Sequence, residues 1–249
     1  MKPLIEVCVD RLDSVQVCAD AGVDRIELCA ALSEGGLTPS IGFLRSARKI
    51  FSGKIMMMIR PRAGDFLYSD GELELMQNDI RLAIDHGADG VVFGCLLPTG
   101  EIDENQTSLL QNTAGGKDVT FHRAFDVTRD LSRSLETLIS LGIPRVLTSG
   151  GEADVSKGIT RLTDLVKQAA GRITVLPGGG VSADKIRELA DQTRATEFHL
   201  SARRTIHSNM IYQRHDIPMG ASQITPELIH KVTDPLQLQS LLSALASHL

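Results

Sequence analysis

The chain has 249 residues, 42% of them hydrophobic and 23% charged, with a net charge of −5, no Trp and two Tyr. This is an ordinary globular composition, long enough to bury a sizeable core. The acidic balance and the scarcity of aromatics argue against a nucleic-acid surface, and no apolar run reaches the ~18 residues of a membrane span.

Leu4 opens an apolar stretch that meets Glu6 and Asp10 too soon for a secretory signal, so a cytoplasmic protein with reduced thiols is expected. Short β-rich runs then alternate with helical patterns from end to end. The runs predict strands over 4–9, 25–29, 54–59, 90–93, 119–122, 145–148, 174–176 and 197–200. The intervening segments predict helices over 12–21, 41–50, 72–86, 105–114, 131–141, 157–170 and 183–190. Asp130 and Ser182 are placed to cap helix starts, and Gly22, Gly87, Gly142 and Gly171 to end helices.

Eight strand–helix units in this length predict one α/β domain over 1–249, a TIM-type (β/α)8 barrel. An open nucleotide-binding sheet would carry its Gly-rich turn after the first strand. Here that turn reads V-D-R-L-D-S, and the Gly-rich turn P-G-G-G (177–180) follows the seventh strand. After Ser201 the pattern is less regular: 203–224 reads as a long loop, and Thr225-Pro226 and Asp234-Pro235 as the starts of two short final helices.

In such a barrel the chemistry lies at the C-terminal ends of the strands. Alternation turns Glu6 and Cys8 of the first strand, and Glu27 and Cys29 of the second, toward the interior. Later strand ends add Arg60, His122, Arg123, Asp126 and His199. Glu6, Glu27, Arg60, His122, Arg123, Asp126 and His199 are therefore the candidate catalytic residues. Clustered titratable groups favour a site, although mutual pairing would equally make a polar plug, with Arg60 as a partner for either glutamate. Gly178, Gly179 and Gly180, with the backbone at Ser201 and Ala202, are candidates to hold an anion or phosphate.

Cys8 and Cys29 are expected at matching heights on neighbouring strands, where two thiolates would suit Cu(I). Both would also serve as small buried hydrophobes. No C-x-x-C pair occurs, which argues against structural zinc. Met56-Met57-Met58 reads as packing, because alternation sends its middle residue to the opposite face. The His- and Met-bearing segment 207–219 reads as surface loop.

The motifs M-I-R-P-R-A-G-D-F-L-Y-S (58–69), A-D-G-V-V-F-G (88–94), T-F-H-R-A-F-D (120–126), R-V-L-T-S-G (145–150), P-G-G-G (177–180) and E-F-H-L-S-A (197–202) occur in that order. With E-V-C-V-D and R-I-E-L-C-A-A-L-S-E-G-G near the start, they resemble the CutC copper homeostasis family over almost the whole chain. That resemblance implies a cytosolic TIM-type barrel, a homodimer, and Cu(I) ligation by the cysteines of the first two strands, here Cys8 and Cys29. Two functions are carried forward. One is Cu(I) binding or trafficking; the other is a barrel enzyme acting on a small anionic or phosphorylated metabolite. Neither calls for nucleic acid or a membrane.

Overall fold

The computed structural model describes residues 3–212 and 228–246. Eight parallel strands run β1 Leu4–Val9, β2 Arg25–Leu28, β3 Lys54–Met58, β4 Gly90–Phe93, β5 Asp118–Phe121, β6 Arg145–Thr148, β7 Thr174–Pro177 and β8 Glu197–Leu200. Their spatial order is β7-β6-β5-β4-β3-β2-β1-β8. A parallel bridge between Gly178 and His199 joins the two ends of that order and closes the barrel. Every predicted strand lies within about one residue of its observed position.

The helices are α1 Leu12–Asp20, α2 Ile41–Ile50, α3 Asp70–Asp85, α4 Glu104–Thr113, α5 Leu131–Ser140, α6 Val155–Ala169, α7 Ile186–Thr193 and α8 Pro235–Ala246. Their starts are chemically marked. Asp130 accepts from the Arg133 amide at 3.1 Å, and Ser69 forms a capping box with Glu72 ahead of α3. Ser182 stands a turn before α7 and caps no helix by its side chain; Lys185 occupies that N-cap. Gly87 follows α3 at a φ of 99°, a left-handed conformation that would strain other residues.

Alternation divides the strand residues into two cores. Ile5, Val7, Val9, Ile26, Leu28, Met57, Phe93 and Phe198 face outward and join the helices in the main apolar core. Cys29, Met56, Met58 and Val92 face inward as a small second cluster. The middle methionine of the triplet thus opposes its neighbours.

The tail departs from expectation. Arg203–His207 (β9) pairs antiparallel with Ile229–Thr233 (β10), where a loop was expected. The Thr233 amide donates to Ser14 Oγ at 3.0 Å, tying this ribbon to α1. α8 then packs beside α7 through buried Leu238, Leu241 and Leu245, supplying the eighth helix of the outer ring. Residues 213–224 of the predicted loop and Thr225-Pro226 lie outside the described residues, but the short helix expected to start there is not formed over Ile229–Thr233, which pairs with β9 as a strand instead.

The lower barrel interior is filled by charge. Arg25 donates to Glu6 and to Glu197, each at 2.5 Å. Arg145 continues the chain to Glu197 at 2.8 Å and to Asp118 at 3.3 Å. Glu6 is completely buried and Arg25 nearly so, a placement that is tolerable only because the signs alternate and the bonds are made. This is a polar plug, but not the pairing of mouth residues considered in the sequence: it lies lower, and its cations are Arg25 and Arg145 rather than Arg60.

Candidate functional site

Above the plug, the strand ends surround a cavity of about 410 Å³. The glutamate–cysteine repeat of β1 and β2 supplies one wall. Its two copies are staggered: Glu6 lies beside Arg25, and Cys8 beside Glu27. The Cys29 amide donates to Val9 O at 2.9 Å, so Cys29 stands one inward position above Cys8 and not level with it. The reason is shear. Barrel strands tilt, so equivalent positions in two similar segments differ in height.

Cys8, Glu27 and His199 converge from β1, β2 and β8. One ligating atom from each lies within 4.8 Å of the others, and all three residues are buried. His199 Nδ1 hydrogen-bonds Glu6 Oε1 at 2.8 Å, which ties the site to the plug. His199 Nε2 is 3.9 Å from Glu27 Oε2. Burial opposes the imidazolium, but Cys8, Glu27 and the bond to Glu6 outweigh it and raise the His199 pKa well above 6.5. Burial would likewise raise Glu6, yet the His199 hydrogen bond and the Arg25 charge hold it at about 2. Glu27 has no such contact with Arg25; burial dominates there and raises its pKa, with the Glu6 charge adding to the effect. The two carboxyls of the repeat are thereby driven in opposite directions, Glu6 downward and Glu27 upward against the pull of His199.

The ends of β5 and β3 add His122 and Arg60 to the cavity lining. His122 Nδ1 accepts from the Ala124 amide at 3.2 Å. Burial first, then the Arg60 charge, lowers its pKa to about 3, so the ring is neutral and Nε2 carries the proton. Gly94 makes room for this ring, since a Cβ there would lie 2.5 Å from His122 Nδ1. Arg60 donates to three carbonyls: Glu34 O at 2.6 Å, Gly36 O at 3.2 Å and Gly64 O at 2.9 Å. Its pairing with Glu6 or Glu27, which the sequence left open, does not occur.

The remaining candidates divide by position. Arg123 lines the cavity, held by Asp126 at 2.7 Å and by Ser149 Oγ at 2.8 Å. Asp126 itself does not line it. Its carboxylate accepts from Thr148 Oγ1, the Ser149 amide and hydroxyl, and the Gly151 amide. These bonds make it the staple of the β6 loop. Gly179, Gly180 and Ser201 line the cavity; Gly178 and Ala202 do not. The Gly178 amide donates to Thr148 O at 2.9 Å, so the β6–β7 pairing engages it.

A protein-family model described as the CutC family matches residues 3–204. The chain belongs to the CutC family. It is 46% identical over 238 residues to the human copper homeostasis protein cutC homolog, covering 96% of this chain and 87% of that protein. It is 43% identical to a CutC protein of Bacteroides fragilis, over 99% and 98% of the two chains. Among solved structures it is similar to CutC from Streptococcus agalactiae, with a TM-score of 0.76 and 32% identity over 80% of this chain and 98% of that one. Phosphoribosylanthranilate isomerase from Thermotoga maritima gives a TM-score of 0.60 at 11% identity, covering 98% and 99%, and shares the barrel fold.

Within this CutC barrel the two thiols of the repeat differ. Cys8 lines the cavity. Cys29 is fully buried behind it, donates to Glu27 Oε2 at 3.4 Å, and is not a lining residue. Burial and the neighbouring Glu27 push its pKa well above 9. Met58, unremarked as a site residue in the sequence, lines the cavity beside Cys29; a Cβ on Gly36 would meet Cys29 Sγ at 3.2 Å and Met58 Cε at 3.4 Å. Arg25 was missed as well. Its signal was present, because a residue two before Glu27 on one strand must share its face.

Proposed function

We propose that this CutC protein serves copper homeostasis by holding Cu(I) as cargo at the barrel mouth, through Cys8 and His199. The convergence of Cys8, His199 and Glu27 within 4.8 Å carries the reading. The donor set fits. Thiolate and imidazole both bind copper, and soft sulfur selects Cu(I). Cys29 and the Met58 thioether lie next in line, giving the wall a sulfur-rich character. Glu27 accepts from Cys29 Sγ, and its hard carboxyl oxygen is a poor match for a soft ion. Cys29 enters the coordination only on losing a proton that its surroundings hold firmly.

Competition against a Cu(I) chelator tests this. Cys8→Ser is expected to weaken Cu(I) affinity about 100-fold or more, and Cys29→Ser by less than about tenfold. Equal losses would restore the bis-thiolate site that the family resemblance implies. Unchanged affinity in the double variant would remove copper from the account. Because His199 must shed its proton to ligate, affinity is expected to rise with pH until the folded-state pKa of His199 is passed.

The cytosol is the compartment proposed, on the four free cysteines, since thiols persist where glutathione keeps them reduced. No described helix is long and apolar enough to cross a membrane. A homodimer is proposed on the exposed Leu75 and Leu82, which lie on one face of α3, with Leu109 exposed on the adjoining α4. Sedimentation equilibrium should then show a dimer that Leu82→Lys weakens; a monomer at all concentrations refutes it.

A further inference from the structure

The cavity holds more than an ion requires. Its volume, about 410 Å³, falls in the range of small-molecule pockets, roughly 300–1,000 Å³. Among its lining residues are three whose buried polar atoms have no hydrogen-bond partner among the described residues: Arg60 Nε, His122 Nε2 and Glu27 Oε1. Arg60 is 6% and His122 4% exposed. Buried polar groups are almost always paired, so several around one cavity point to a ligand that completes them.

Their chemistry selects the ligand. All the hydrogen bonds of the Arg60 guanidinium go to neutral carbonyls, and no carboxylate pairs with it among the described residues. A buried guanidinium without a counter-ion is costly. His122 presents a donor, since the Ala124 amide fixes Nδ1 as the acceptor. Arg203 adds positive charge to the same cavity and Arg123, paired with Asp126, also lines it, while Glu27 and exposed Glu34 are the carboxyl groups of its lining.

We infer that the cavity binds a small organic oxyanion, a phosphate ester or carboxylate, whose charge pairs with Arg60 and whose oxygen accepts from His122 Nε2. The site is distinct from Cys8 and His199 in its donors, and it does not rest on the copper reading. The anion lies toward the Arg60–His122 wall, with its remaining atoms extending toward Gly179 and Ser201. The glycine turn is a flank of this site and not its anchor. The anchor is the arginine that the barrel leaves without a carboxylate.

Isothermal titration of the metal-free protein at low salt tests this with glycerol 3-phosphate, inorganic phosphate and malonate. At least one is expected to bind saturably, and comparison of the arms separates phosphate from carboxylate recognition. Arg60→Gln is expected to weaken binding about tenfold or more. Arg60 also bridges two loops, so His122→Phe is the second variant: it keeps an aromatic ring beside Phe66 and removes the donor. It should reduce affinity severalfold while circular dichroism and the melting transition report an intact fold. Absence of saturable binding by all three probes up to about 10 mM overturns the inference. So does binding that both folded variants retain at full strength, since the anion would then sit elsewhere.

Discussion

Arg25→Ala is expected to destabilise the protein by about 3–5 kcal/mol, the usual cost of removing one partner from a buried ion pair. The substitution leaves Glu6 charged and fully buried, with His199 as its remaining partner, and also strips Glu197 of one of its two arginines. Urea unfolding monitored by circular dichroism measures the loss. Pairing Arg25→Met with Glu6→Gln should recover much of it, because no uncompensated charge then remains. A loss below about 1 kcal/mol for Arg25→Ala would contradict the plug as a cohesive network. The same network sets an acid limit. Glu6 titrates near 4.5 when unfolded and about 2 when folded. Its contribution is therefore fully present above 4.5 and is lost as pH falls through about 2. In Glu6→Gln that component of the acid dependence should disappear.

Gly158→Ala should cost about 3 kcal/mol or more, at the upper end for overpacking. α6 passes so close to the β6 loop that a Cβ at Gly158 would lie 1.8 Å from Ser149 O and 2.9 Å from Ser149 C. Both are backbone atoms, and Asp126 pins that segment through the Ser149 amide and hydroxyl. No side chain can turn aside, so helix or loop must move. Because Ser149 Oγ also holds Arg123, the displacement should reach the cavity wall. Thermal unfolding reads the stability loss. A variant as stable as the parent would contradict this close packing.

The barrel was legible because its strands alternate cleanly: Ile5, Val7 and Val9 outward, Glu6 and Cys8 inward. The β9–β10 ribbon was not. Arg203–His207 is largely exposed and has no regular apolar face, and its partner begins at Ile229, across a long connection. Such pairing is fixed by tertiary contacts that leave no local periodicity. The site was legible in its membership and obscure in its pairings. Alternation brought Glu6, Cys8, Glu27 and His199 inward, but the stagger between strands decides who meets whom. That stagger sets Cys8 beside Glu27 and gives Glu6 to Arg25. Asp126 was picked out in sequence as a candidate catalytic residue, but no local pattern showed that it would instead gather the amides of the next loop.

The repeated glutamate and cysteine therefore carry separate duties. Glu6 is locked into the plug and positions His199; Glu27 holds Cys29; Cys8 alone of the two thiols lines the cavity. X-ray absorption at the copper edge of the Cu(I)-loaded protein tests this arrangement most directly. The account predicts a Cu(I) edge with sulfur and imidazole nitrogen in the first shell, the sulfur lost in Cys8→Ser and the imidazole lost in His199→Gln. A first shell of oxygen and nitrogen alone, or a spectrum that Cys8→Ser leaves unchanged, would contradict it.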